Sequence, residues 1–429
     1  MVAPAGQRTA PALATIPNHG SKVRLASAPR ETVRDPMSPP RILIVHNRYQ
    51  QQGGEDTVVA AEERLLTDAG YPVDTLFITN HAINSTAMQM QTALFTPYNP
   101  VSRRLMRQRL RANRPDIVHV HNFFPRLSPS IFDACRDEAV PVVMTLHNYR
   151  LACANGLLFR DNAPCELCIA GSAAAAVRHS CYRHSRFGSA AVAAMIEYHR
   201  RAGTWRHKVS RFIALTAFAR DRLVAGGLPA DRMRIKPNFV ADPGPLGGAR
   251  GDAPPYALFV GRLSVEKGVD VLLQAWQGID MTLRIVGDGP QRDQLALRAS
   301  PPVRFLGQLD HEAVRREMAG ASFLIVPSIW YEGFPMTVVE AMALGTPIIA
   351  AAIGGLRELL SDGVEGRHFQ AGDSADLRRV IGELIAKPGL LPAMGQAARA
   401  RYLTQLSPKR NLAILSEIYC EMVAERRQI

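Results

Sequence analysis

Short apolar runs recur along this chain, separated by longer stretches whose apolar positions fall three and four residues apart. The first series is RILIVH (41–46), PVDTLFI (72–78), DIVHVH (116–121), PVVMTLH (141–147) and RFIALT (211–216). A second series is YALFVG (256–261), MTLRIVG (281–287), VRFLG (303–307), SFLIVP (322–327) and TPIIAA (346–351). Runs of this kind read as strands, and their alternation with helical stretches argues for parallel sheets with helices on both faces. Between the two series, Lys236 to Pro255 holds five Pro and four Gly and reads as a linker. The expectation is an α/β protein of two doubly wound domains, 41–236 and 256–406, with 237–255 joining them. Ligands would lie in the cleft between the carboxyl ends of the strands. The last periodic segment, Ser407 to Arg427 within 407–429, is expected as a helix that packs back across the cleft onto the first domain.

Met1 to Pro40, rich in Ala, Pro, Ser and Arg without periodicity, reads as a disordered leader. The chain carries no run of about 18 apolar residues and no charged-then-apolar secretory layout, which points to a cytoplasmic protein. Its net charge of +13 suits an anionic partner. Positive charge is densest in Arg103 to Arg114, where Val101, Leu105, Met106 and Leu110 fall at helical spacing. That helix is either a solvated face over a packed one or a peripheral contact with an anionic membrane.

Candidate chemistry concentrates in SIWYEGFPMTVVEAMALGTP (328–347), where Glu332 and Glu340 stand eight positions apart. A carboxylate ahead of a helix and a second about two turns in can grip two hydroxyl-bearing parts of one ligand. The helix N-terminus offers free N–H groups to an anion between them. A nucleotide sugar has that layout of sugar, diphosphate and ribose. Upstream, Arg262 and Lys267 lie in a strand-to-helix turn from which both can reach one diphosphate, Arg as a planar fork and Lys as a mobile point charge. The turn Gly287-Asp288-Gly289-Pro290 would let backbone approach a base or ribose. In the first domain, Gly53 and Gly54 follow strand one and open a helix, permitting close approach to a phosphate or transferred sugar. His147 ends a strand at the cleft and could donate a hydrogen bond to a sugar hydroxyl, whereas His119 and His121, on one face of their strand, read as structural.

These residues resemble the family 4 glycosyltransferases of the glycosyl transferases group 1 superfamily, with the GT-B fold. The resemblance covers about Arg41 to Arg427 and rests on the E-x7-E pair, GRLSVEKG, GDGP, the Gly53-Gly54 loop, LHNYR at His147 and KPNF at 236–239. It implies retaining transfer of a sugar from a nucleotide sugar to a glycan or lipid-linked acceptor hydroxyl, without an obligatory metal, in assembly of a bacterial surface polysaccharide. It further implies that Arg262 and Lys267 hold the diphosphate, Glu340 the ribose and Glu332 the donor sugar. The backbone of Gly333, Phe334, Pro335 and Met336 would cover phosphates or sugar, and His147 would sit near the anomeric carbon. Fixed cations at the leaving diphosphate stabilise the charge that develops as the anomeric bond breaks. A same-face attack, with the leaving phosphate taking the acceptor's proton, is the expected route to retention.

Cys153, Cys165, Cys168 and Cys181 fall in a loop-rich insertion, 150–185, with a C-x2-C knuckle that suits a structural zinc site. Disulfides and unpaired thiols are the competing readings, and His179 and His184 are alternative ligands. Cys135 and Cys420 read as buried apolar residues. The insertion and the basic, aromatic stretch 178–211 are expected to shape the acceptor pocket. Two other functions compete: a nucleotide-sugar epimerase on the same fold, and a basic nucleic-acid binder. The latter is disfavoured by dispersed charge and the lack of a recognition motif.

Overall fold

The computed structural model describes residues 38–48, 53–80, 85–244 and 254–427. The leader therefore lies outside the described residues except for its last three positions, as do 245–253 of the linker. Fourteen strands are present: β1 (Ile42–Arg48), β2 (Val73–Thr79), β3 (Ile117–Asn122), β4 (Val142–Leu146), β5 (Phe159–Arg160), β6 (Ala163–Pro164), β7 (Arg211–Ala214) and β8 (Met233–Ile235), then β9 (Tyr256–Val260), β10 (Thr282–Val286), β11 (Val303–Gly307), β12 (Phe323–Val326), β13 (Ile348–Ala351) and β14 (Gly366–Phe369). They form one six-stranded sheet in the order β2-β1-β3-β4-β7-β8, a second in the order β11-β10-β9-β12-β13-β14, and a β5-β6 hairpin. Both large sheets are parallel throughout. The strand order reverses between β1 and β3 and again between β9 and β12, opening a crevice at the carboxyl ends in each half. This is the expected pair of doubly wound, Rossmann-like domains.

Helices cover both faces of each sheet, so the central strands are apolar on both sides. Ile42, Leu43, Ile44 and Val45 are buried in the first half, as are Ala257, Leu258, Ile348 and Ile349 in the second. The sequence patterns missed β8 and β14. Each is a short edge strand, MRI and GRHF, with one neighbour. A side chain on Gly366 would meet the Ile348 carbonyl at 1.8 Å, so β14 can approach β13 only with glycine there.

The helix Pro408–Arg427 follows the second domain in sequence but packs on the first sheet. Leu415, Ile418, Tyr419 and Met422 form one core with Ile42, Ile44, Ile117, Val143 and Ile213. Tyr71 donates to Ser416 at 2.8 Å, and Arg234 pairs with Glu421 at 2.9 Å. At another junction between the halves, Glu358 accepts from the Ala217 and Phe218 N–H groups that open the helix Ala217–Ala225.

One expectation changes and one choice is narrowed. The start of the presumed linker is core: Lys236, Asn238 and Phe239 are buried. The basic helix Pro100–Asn113 takes the first of its two readings, a solvated face over a packed one, with Met106 and Leu110 buried, though Val101 is exposed. Arg103 is fastened to Asp137 at 2.6 Å, and Arg107 and Arg111 to Glu138 at 2.7 and 2.9 Å. No helix among the described residues is long and apolar enough to cross a membrane.

Candidate active site

β9 leads into a polar loop, one 3-10 turn at Val265–Lys267, and Gly268 with φ of +69°. A side chain on Gly268 would fall 2.0 Å from the Pro327 carbonyl, so only glycine lets this turn press onto the end of β12. That approach brings Lys267 Nζ to 2.7 Å from Glu332 Oε1, while Ser328 Oγ donates to the same oxygen at 2.6 Å. The sequence reading gave Lys267 and Glu332 different parts of a ligand; the structure pairs them with each other. Burial raises the cost of a lone carboxylate, and a cation with a hydroxyl offsets it.

The helix Met336–Leu344 starts four residues after Glu332 with Pro335 as N-cap and no side-chain cap, leaving its first N–H groups unclaimed by its own cap. Glu340 lies just past the first turn rather than two turns in. Burial alone pushes its carboxyl up to about 7. Phe334 packs its ring against the second-domain core and Pro335 is buried, so these two have their backbone left to offer a ligand.

The facing wall comes from the first domain. Gly53 caps the helix Gly54–Asp68, its N–H donating to Asp56 at 3.2 Å. A side chain on Gly54 would reach Met336 at 3.7 Å, and one on Gly333 would collide with the His147 carbonyl at 2.6 Å. The N-termini of two helices, one from each domain, therefore meet across the cleft with their positive ends together. Arg262 is exposed and, with Gly53, lines the adjoining cavity. Gly287 and Gly289 have a different reason to be glycine. Side chains there would lie 1.9 Å from the Gly261 carbonyl and 2.4 Å from that of Leu263, so the two loops need glycine to pack on each other.

Beneath His147 runs a buried relay. His147 Nε2 lies 3.0 Å from His121 Nδ1, and the rings are 5.3 Å apart with planes tilted by 21°, as for two rings meeting edge to edge. His121 Nε2 lies 3.3 Å from Glu62 Oε1, and His119 Nδ1 lies 3.2 Å from the same oxygen. Lys236 Nζ donates to Glu62 Oε2 at 2.8 Å and to Asn411 Oδ1 at 3.2 Å. Burial opposes ionisation of Glu62, yet Lys236 and the two histidines outweigh it and hold the carboxyl well below its usual range. Burial, reinforced by His121, holds His147 neutral. Which ring donates across the 3.0 Å contact between His121 and His147 is set by their tautomers. Among the described residues, Glu62, His119 and His121 are the one set of three such side chains with ligating atoms within 4.8 Å of one another. The other oxygen of Glu62 is taken by Lys236.

Next to the cleft lies a cavity of about 840 Å³. Met90, Phe124, Tyr182 and Phe187 supply apolar surface, and Arg150, Arg183 and Arg262 supply charge. Stretch 178–211 contributes residues to this cavity, among them Tyr182, Arg183 and Phe187. Of the four insertion thiols, Cys153 and Cys168 are buried and Cys165 and Cys181 half-buried. No three of their sulfurs come within 4.8 Å of one another, and His179 and His184 are exposed. Cys135 is buried as expected; Cys420 is exposed, contrary to its reading.

Comparison with known proteins decides the family. The profile of Glycosyltransferase Family 4 matches residues 41–242, and that of Glycosyl transferases group 1 matches 248–401. The chain belongs to the group 1, family 4 glycosyltransferases. This glycosyltransferase-family chain is 38% identical over 157 residues to a phosphatidyl-myo-inositol mannosyltransferase of Mycobacterium leprae, covering 34% of its own length and 42% of the relative's. Across three such curated relatives the match spans 41% to 44% of their length, less than half. Among solved structures, the sucrose-phosphate synthase of Thermosynechococcus elongatus superposes with a TM-score of 0.67 at 19% identity, over 90% of this chain and 100% of that one. Anabaena HepE in complex with UDP superposes with a TM-score of 0.61 at 19% identity, over 89% and 100%. At such identity the likeness establishes the fold, GT-B.

Several residues at this family member's cleft were not singled out from its sequence. Glu62, Lys236 and Asn411 come together only in the fold, being 174 and 175 positions apart along the chain. Tyr149 has a buried hydroxyl, and Trp330 a buried indole N–H, with no hydrogen-bond partner among the described residues. Both lie within motifs already quoted, LHNYR and SIWYEG, and buried donors without partners are a signal only coordinates can supply.

Proposed function

We propose that the chain transfers a sugar from a nucleotide-diphosphate sugar to an acceptor hydroxyl with retention of configuration. The observation that carries this reading is the convergence at one cleft of Lys267 paired to Glu332, Glu340, and two helix N-termini meeting through Gly54 and Met336. Arg262 and Lys267 take the diphosphate, whose negative charge grows as the anomeric bond breaks. Lys267 then shifts from Glu332 to phosphate, freeing the Glu332 carboxylate for donor-sugar hydroxyls. Glu340 accepts from the ribose, and Gly53 and the Gly333 to Met336 backbone close over the phosphates. His147, at the cleft end of β4, makes a hydrogen bond with a sugar hydroxyl near the reacting carbon. The leaving phosphate accepts the proton of the attacking hydroxyl on the same face, so the residues supply positioning and charge without a carboxylate nucleophile.

The adjoining cavity supports a transferase over an epimerase, which needs no second substrate site. Its apolar and cationic lining suits a lipid-linked, anionic glycan acceptor. Met90 and Leu94, 53% and 68% exposed, stand beside it and would meet the inner face of a membrane during assembly of a surface polysaccharide. Thermal shift with UDP, GDP and their sugars tests the donor site, since a ligand selective for the native state raises the melting temperature. Glu340→Ala and Lys267→Ala should abolish the shift; full activity in either variant would sink the assignment. Epimerised donor after incubation without acceptor would favour the isomerase.

A further inference from the structure

The cavity beside the cleft is lined by three arginines, Arg150, Arg183 and Arg262, and none of its described lining residues is Asp or Glu. Other arginines of the first domain are paired, Arg222 with Glu166 at 2.8 Å and Arg200 with Glu197 at 3.5 Å. The three at the cavity have no such carboxylate among the described residues. Cations gathered without counter-charge in a concave site repel one another, so the arrangement gains from an anion.

Arg150 is half-buried, whereas Arg183 and Arg262 are exposed. Its backbone N–H donates to Asn148 Oδ1 at 3.0 Å, and its Nη1 donates to the Ala154 carbonyl. A side chain on Gly156, whose φ is +77°, would crowd Arg150 Nη2 at 3.1 Å, so glycine leaves room there for the guanidinium. The guanidinium carbon stands 4.7 Å from the centre of the Phe124 ring and 5.5 Å from that of Tyr182, and the two rings meet edge to face. Two aromatic rings and a fixed hydrogen bond thus hold this planar fork in place before a ligand arrives. Arg183 brings its own guanidinium carbon to 5.7 Å from the same Tyr182 ring. Two cations share one aromatic platform. Arg150 and Phe124 also line the small hollow that holds His121 and His147, so this platform joins the cavity to the reacting end of the cleft.

We propose that Arg150 and Arg183 hold a phosphate group of the acceptor, and that Arg150 is the residue that selects a phosphorylated acceptor over a neutral one. What molecule owns the phosphate rests on the transferase reading; its binding to the two arginines does not. One guanidinium fork fills a single carboxylate, whereas a phosphate ester or diphosphate offers oxygens and charge enough for two. Arg262 is left to the donor. Because Arg150 lines both the cavity and the hollow at His147, the phosphate stands at the end of the cavity next to the reacting centre. Met90 and Phe187, on the rest of the wall, suit a hydrocarbon carrier, and a phosphate on a soluble sugar would leave them bare.

Isothermal titration of the full chain with inorganic pyrophosphate reads the site, run in the Lys267→Ala background so that the donor loop contributes little. Arg150→Gln keeps an amide N–H for the Ala154 carbonyl but removes the charge, and should weaken binding about 10-fold or more. Arg183→Gln should weaken it several-fold. Arg109→Gln removes the same charge from an exposed position of the helix Pro100–Asn113 and should change nothing. Undiminished affinity in Arg150→Gln overturns the proposal, as does an equal loss in Arg109→Gln. Where Arg150→Gln lowers the melting temperature, Arg183→Gln, at an exposed side chain, gives the decision in its place. Farnesyl diphosphate distinguishes the sources: tighter, Arg150-dependent binding assigns the phosphate to a lipid carrier, and equal binding assigns it to a polar sugar phosphate. Glucuronate held through Arg150 where pyrophosphate is not held overturns the choice of phosphate over carboxylate. These titrations contain no nucleotide and read no turnover, so failure of the donor site in the thermal-shift test leaves their outcome standing.

Discussion

At the scale of single residues, two buried carboxylates are handled in opposite ways. Glu340 has no counter-charge, and its folded carboxyl at about 7 stands above an unfolded value near 4.5. Its ionised form is disfavoured by the fold, so the cost is absent below pH 4.5, grows as pH rises toward 7, and is constant above. Glu340→Gln should therefore raise stability at pH 8.5, by an upper figure of roughly 3 kcal/mol, and have little effect near pH 4.5, in urea titrations at the two values. The same substitution should weaken nucleotide binding, and wild-type affinity should climb between pH 6 and 8 as the carboxylate forms. Glu62, by contrast, is paired to Lys236 with both side chains fully buried. Lys236→Met leaves that charge without its partner and should cost about 3–5 kcal/mol, while the double change with Glu62→Leu should cost much less. Of these residues the sequence made Glu340 readable through its spacing from Glu332. Lys236 could not be weighed that way, since its partners lie in other elements far along the chain.

At the scale of elements, the cleft is tuned by where backbone comes close to backbone. Gly333 touches the His147 carbonyl, while nothing stands within 4 Å of a side chain added at Gly53, whose φ of −123° any residue adopts. Gly333→Ala should push the two domains apart at the reacting end, lowering turnover and donor affinity together. Gly53→Ala should fold with close to wild-type stability, a few tenths of a kcal/mol lower, and lose affinity only if phosphate packs against that backbone; calorimetry with the nucleotide separates the two variants. Glycines at 53, 54, 268, 287 and 333 were visible as motif members, but their reasons were not. A string of residues does not say whether a glycine makes room for a ligand or for the next loop, and at Gly287 it is the loop. The central strands were legible because burial on both faces leaves a continuous apolar run. Edge strands β8 and β14, with one neighbour each, leave no such trace.

At the scale of the whole molecule, the chain leaves the second domain through a π-helical turn, Tyr402–Leu406, and spends its last helix on the first sheet. Tyr419 is fully buried there with its hydroxyl 2.7 Å from His119 Nδ1. Tyr419→Ala should cost about 3–5 kcal/mol, and hydrogen exchange should rise across β1, β3 and β4 rather than across β9 to β14. The sequence carried the periodicity of this helix and the expectation that it returns to the first domain. The surface that receives it could not be named, because Ile42, Ile117, Val143 and Ile213 read simply as strand interior. The arrangement also sets an order of events during synthesis. Strands of the first domain remain bare along one face, with the Glu62–Lys236 pair open to water, until the helix Pro408–Arg427 has followed the second domain out of the ribosome. The first domain is thus completed only after the second, and a ribosome stalled before Asn411 would hold a nascent chain with an uncovered apolar sheet, a natural client for a chaperone.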